Sequence, residues 1–143
     1  MVRGVEHLAL CAQDVPALVA WYQRVFDLEL IREGESGPLF LRFADGFLLE
    51  VLGAEGADAS PPPAKEKGYR HIALSVLSLE TLVDALKQEG VAVVEDFRIV
   101  PNGTKLFLFR DIEGNLVQLV ERQRPLGAQS QETGNGDEHK AAG

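Results

Sequence analysis

The stretch Tyr69-Arg70-His71-Ile72-Ala73-Leu74-Ser75-Val76 decides how the chain is read, because its centre has occurred once already. Near the start stands Val5-Glu6-His7-Leu8-Ala9-Leu10-Cys11. The shared pattern His-(Leu/Ile)-Ala-Leu recurs at an offset of 64, from His7 to His71. A second pair of stretches matches as well: Asp45-Gly46-Phe47-Leu48-Leu49-Glu50-Val51-Leu52 against Glu113-Gly114-Asn115-Leu116-Val117-Gln118-Leu119-Val120. Their offset is 68, from Glu50 to Gln118, so the second half carries about four extra residues between the two matches. The chain is therefore a tandem repeat of one supersecondary unit, with His7 equivalent to His71 and Glu50 to Gln118.

Working outward, each unit shows the same order of hydrophobic periods. Residues 5–11 alternate, with Leu8 and Leu10 on one face and Val5, His7, Ala9 and Cys11 on the other, as in a strand buried on both faces. Asp14 suits a helix N-cap and Pro16 a first turn, and Leu18, Val19, Tyr22, Val25 and Phe26 follow at helical spacing. Residues 28–32, 39–43 and 47–52 read as three strands, with turns at residues 34–38 and at Ala44-Asp45-Gly46. In the second unit residues 70–76 are a strand. Ser78 opens a helix carrying Leu79, Leu82, Val83 and Leu86 that stops at Gly90. A broken strand over residues 91–100 and a hairpin of residues 105–109 and 116–120 complete it.

The expected fold class is α+β, with two tandem βαβββ modules forming a cupped mixed sheet. A single domain over residues 1–126 is expected, with module one at 3–53, a linker at 54–67 containing Pro61-Pro62-Pro63, and module two at 68–122. Residues 127–143 are rich in Gln, Ser, Glu and Gly and are expected to be a disordered tail.

Composition narrows the function classes. The net charge of the 143 residues is −8 and there is no basic stripe, which argues against nucleic acid and anionic membrane as partners. No stretch approaches a membrane span, no signal peptide is evident, and the single cysteine allows no internal disulfide; a cytoplasmic location is expected.

Parity brings the candidate site residues together. His7 and His71 point away from the Leu8/Leu10 and Ile72/Leu74 faces, and Glu50 and Gln118 sit in the last strand of each module. If the helices cover one sheet face, the other can line a cleft in which the four groups converge. Two imidazoles, a carboxylate and an amide oxygen suit a divalent ion such as Zn, Ni, Co, Mn or Fe(II), and one ligand charge suits a Lewis-acid site with open positions. Taken singly, a strand His is more often a core or surface residue than a ligand; the repeat, which sets His on His and Glu on Gln, favours the site. Glu121 is a rival carboxylate on the opposite parity and reads as a solvated strand end. Arg42 and Arg110 are equivalent by the 68 offset and read as partners of nearby acids. Cys11 reads as a small buried side chain, and Trp21, Tyr22 and Phe26 as core.

These residues resemble the vicinal oxygen chelate superfamily, which includes glyoxalase I, methylmalonyl-CoA epimerase, extradiol dioxygenases, fosfomycin-resistance enzymes and bleomycin-resistance proteins. The likeness spans roughly residues 3–122 and rests on His7 in EHLAL, Trp21-Tyr22, Glu50 in LLEVL, His71 in YRHIALSV and the FRDIEGNLVQLVE hairpin. The resemblance implies a cupped sheet around a metal held by His7, Glu50, His71 and Gln118, and a homodimer. It also implies a metal-dependent lyase or isomerase acting on a small substrate chelated through adjacent oxygens, with Glu50 moving the proton. Gln118 stands where the family usually has Glu, and Cys11 and Ala54 where glutathione-dependent members carry Arg and Asn. An Fe(II) extradiol-type dioxygenase and a metal-free drug- or metabolite-binding protein are the alternatives.

Overall fold

Strand–helix–strand order follows from the hydrophobic periods, and the registers then fix which side chains meet. The structure, a computed structural model, describes residues 1–56, 65 and 67–127. Module one comprises β1 (His7–Ala12), α1 (Val15–Phe26), β2 (Glu29–Arg32), β3 (Leu39–Arg42) and β4 (Leu48–Gly53). Module two comprises β5 (Ile72–Ser75), α2 (Leu79–Gln88), β6 (Ala92–Ile99), β7 (Lys105–Arg110) and β8 (Leu116–Glu121). The strands form two four-stranded mixed sheets, ordered β1-β4-β3-β2 and β5-β8-β7-β6. Most of the expected linker and the tail beyond Gly127 lie outside the described residues.

The repeat is visible in the registers. Ala9 pairs with Glu50 and Glu50 with Phe40; Ala73 pairs with Gln118 and Gln118 with Leu108. Between modules these positions differ by 64 in the first strand and 68 in the last two, as the sequence spacing requires. The four added residues fall before β7. There β6 is longer than its equivalent β2 and breaks register twice, between Val93 and Glu95 and between Glu95 and Arg98.

One face of each sheet is covered by its helix. Leu8, Leu41 and Leu49 are register partners that join the core with Leu18 and Tyr22 of α1, and Phe107, Leu119 and Leu74 join it in module two with Leu79, Val83 and Leu86 of α2. Each fully buried large apolar side chain contributes roughly 1.5–3 kcal/mol relative to exposure. The opposite face of β1 is open: His7, Ala9 and Cys11 are all exposed. The expectation of a buried Cys11, and of a strand buried on both faces, is therefore wrong. β1 is an edge strand, and among the described residues nothing covers its second face.

The helix ends carry two further corrections. Asp14 caps α1 as expected, its Oδ1 accepting from the Ala17 amide at 3.0 Å. Ser78 occupies the N-cap position of α2, but its hydroxyl bonds Thr81 instead. The capping acceptor is Glu121, whose Oε2 takes the Leu79 amide at 2.8 Å while Oε1 pairs with Lys105 at 2.9 Å. Glu121 is thus a structural cap, and its pKa is held below the usual carboxylate range first by the Leu79 amide and then by Lys105. Gly90 follows the helix at φ 76°, the left-handed conformation that lets the chain turn into β6.

The modules are tied together through α1. Buried Tyr22 donates its hydroxyl to Asp111 Oδ2 at 2.9 Å, and Trp21 lies against Phe109 with ring centroids 6.3 Å apart. Burial, and then the Asp111 charge, hold the phenol protonated well above its ordinary range, so it remains a donor. Asp111 is buried too, and also accepts from the amides of Glu113 and Asn115 and from the Asn115 side chain. The Asp14 amide donates to Glu113 Oε1 at 2.8 Å, and Arg24 pairs with Glu89. Replacing Tyr22 by Phe removes a bond to a buried carboxylate and should destabilise the chain by about 1–3 kcal/mol in urea denaturation. Tyr69→Phe, at an exposed ring, should change stability by less than about 0.5 kcal/mol.

Candidate metal centre

In module one the parallel pairing of β1 with β4 sets the geometry. His7 is opposite Leu48 and Ala9 opposite Glu50, so both polar side chains stand on the face away from α1. His7 Nε2 lies 3.4 Å from Glu50 Oε2, with the Glu50 side chain 17% exposed and His7 37%. The Phe40 ring meets the imidazole edge-on at 5.8 Å between centroids. On its other side, His7 Nδ1 is bonded to the Glu6 carboxylate. Because Glu6 only accepts, Nδ1 carries the hydrogen, and in the neutral ring Nε2 is left as a lone-pair donor facing Glu50. Two ligands bound tetrahedrally at about 2.0–2.1 Å lie about 3.3 Å apart, so the His7–Glu50 pair fits one ion.

Module two places the equivalent pair on its own sheet. Ala73 is opposite Gln118, and His71 precedes β5 at the same parity. The expected strand from residue 70 begins at Ile72, where pairing with Val117 starts, leaving Arg70 and His71 ahead of the ladder. Arg70 Nη1 lies 3.3 Å from His71 Nδ1, and Arg70 Nη2 is 3.3 Å from Glu95. An arginine can only donate, so His71 carries its hydrogen on Nε2 here; binding an ion through Nε2 requires Arg70 to leave Nδ1.

The sequence leaves open whether the four groups meet within one chain or across a dimer; within this chain the two pairs stay apart. Among the described residues no three His, Cys, Asp or Glu side chains are gathered as an ion would need. The reason is topological: His7 and Glu50 belong to one sheet, Gln118 belongs to the other with His71 just ahead of its strand β5, and β1 and β5 are not neighbours. Arg42 pairs with Glu29 at 3.0 Å, as the sequence suggested, whereas Arg110 donates to the Gly114 backbone carbonyl at 2.6 Å. Glu6 was missed. Its position beside a strand His was the available signal, since strand neighbours normally face apart and only the strand end lets Glu6 reach round.

The chain belongs to the Glyoxalase/Bleomycin resistance protein/Dioxygenase superfamily, whose profile matches residues 4–119. Its fold is shared with the fosfomycin resistance protein FosX of Listeria monocytogenes, solved with Mn(II) and sulfate, at 22% identity and TM-score 0.67, over 85% of this chain and 92% of that one. The protein SMU.1112c is 28% identical with TM-score 0.66, over 85% and 100% of the two chains. A lactoylglutathione lyase of Agrobacterium tumefaciens is 22% identical with TM-score 0.60, over 82% and 92%. No curated protein matches the sequence.

The two imidazoles differ electrostatically. His7 is raised above 6.5, first by its bond to Glu6 and further by the Glu6 and Glu50 charges, whereas His71 is lowered by partial burial and then by Arg70. In proton NMR of metal-free protein, His7 should titrate above and His71 below that ordinary value. Glu6→Gln should bring His7 down further than Glu50→Gln does, because the Glu6 bond is the largest cause.

Proposed function

We propose that this chain is a metal-dependent lyase or isomerase acting on a small substrate that presents two adjacent oxygens. The observation that carries the reading is the duplicated placement of donors, His7 with Glu50 and His71 with Gln118, at equivalent register positions of two modules. His7, Glu50 and His71 would hold the ion, and Gln118 would be a fourth, weaker ligand through its amide oxygen. A homodimer follows from the half-sites: among the described residues β1 pairs only with β4 and β5 only with β8, so each has an edge open to a partner. Pairing β1 of one copy with β5 of another would bring a His7–Glu50 pair beside a His71–Gln118 pair.

A bound divalent ion supplies Lewis acidity towards the adjacent substrate oxygens. Glu50, whose oxygen lies beside His7, would accept and return the substrate proton. Glu6 keeps the His7 lone pair aimed at the site. The likeness to FosX, solved with Mn(II), and to a lactoylglutathione lyase supports metal-assisted chemistry on small molecules.

Metal content and titration calorimetry test this. Zn, Ni, Co or Mn in protein purified without added metal supports the lyase or isomerase reading, and iron alone would favour a dioxygenase. His71→Ala and Glu50→Gln should each lose most of the affinity, at least about tenfold, and Gln118→Glu should tighten binding by adding a charge. Unchanged binding by both loss variants would place the ion elsewhere. Protons compete for both imidazoles; because His7 is raised, affinity should begin to fall at a higher pH than His71 alone would impose.

A further inference from the structure

The repeat creates two equivalent seams between the modules, and the chain closes only one of them. On the closed side stand Trp21 against Phe109, Tyr22 bonded to Asp111, the Asp14 amide on Glu113, and the Arg24–Glu89 pair. Applying the offsets of 64 and 68 gives the counterparts on the other side. Trp21 becomes Ala85, Tyr22 becomes Leu86, Phe109 becomes Leu41, Asp111 becomes Phe43, Asp14 becomes Ser78 and Glu113 becomes Asp45. The indole is replaced by an exposed methyl, the phenol–carboxylate bond by two apolar residues, and the ion pair by Gln88 and Val25. What remains on this side is a cavity of about 910 Å³.

Its chemistry is two-ended. The body is lined by Phe26, Phe43, Phe47, Ile72, Leu74 and Leu82, while Asp27 and Asp45 also reach it, and among the described residues no Lys, Arg or His lines it. Asp27, Phe43, Ala44 and Asp45 also line an adjoining polar depression of about 500 Å³, together with Glu29 and Arg42. Arg42 is paired with Glu29, so Asp27 and Asp45 set the sign of that end. The cavity runs along β5, where Ile72 and Leu74 line it from the helix side and Ala73 and Ser75 from the other face. None of His7, Glu50, His71 and Gln118 lines it, so the inference stands whether or not they bind metal.

We propose that the open seam binds a hydrophobic organic cation, with its apolar body among the phenylalanines and aliphatic side chains and its positive charge beside Asp27 and Asp45. Aromatic walls favour a desolvated cation through their ring faces, and the carboxylates select the sign of charge.

Rhodamine 6G and sulforhodamine B, which share a xanthene core and carry opposite charge, are suitable probes by fluorescence anisotropy. The cationic dye should bind one per chain and at least about tenfold more tightly than the anionic one. Asp27→Asn with Asp45→Asn should lose about fivefold or more of that affinity, whereas Asp84→Asn, an exposed acid outside the cavity, should leave it unchanged. Phe43→Ala, with its fold checked by circular dichroism, should lose about tenfold. Equal binding of both dyes overturns the proposal, as does a double Asp variant that binds like wild type, or no binding below millimolar dye. Loss of dye binding at protein concentrations where the chain self-associates also overturns it, because the cavity would then be the seat of a second copy.

Discussion

The parallel pairing between the first and last strand of each module is the constraint on which the rest depends. A parallel register places residues of like parity on one face. With Ala9 opposite Glu50 and Ala73 opposite Gln118, the polar donors of each module share the face that the helix does not cover. Among the described residues the same pairing leaves β1 and β5 with one open edge each. Polar donors and open edges therefore occur together, because one hydrogen-bonding arrangement produces both.

On the helix side the physical problem is different. Two sheets with their helices must bury apolar faces against each other, and duplication offers the same contact twice. Divergence has made the contacts unequal. Tyr22 and Asp111, each costly to bury alone, satisfy each other and lock one seam. The other seam has Leu86 and Phe43 at those positions, which need no hydrogen-bond partner, and the small Ala85 where Trp21 fills space.

Much of this was legible in the chain. Two offsets predicted the element order, the equivalence of His7 with His71 and Glu50 with Gln118, and the irregular β6 where the added residues fall. Periodicity placed Trp21 and Tyr22 in the core, where they are. Properties set by the neighbours in space were not legible. Cys11 alternates like a buried strand residue but faces out, since burial depends on what covers the sheet. Glu121 reads as a strand end, yet the fold brings the start of α2 over it. The candidate residues could be assigned a face by parity, but parity says nothing about which sheets adjoin, and Glu50 and Gln118 lie on separate sheets. Glu6 was hidden because alternation assigns it to the wrong face.

The central claim is that two copies of the chain assemble each metal site from complementary halves. Mixing His7→Ala with His71→Ala chains, after each has been shown to bind no Mn(II) or Zn(II) alone, tests it most directly. A mixed dimer would pair the intact His7 of one chain with the intact His71 of the other at one of its two sites. After random exchange of subunits, metal binding should recover to about a quarter of the wild-type stoichiometry. No recovery in mixtures shown to contain mixed dimers would contradict the account, because each chain would then have to supply both histidines to its own site.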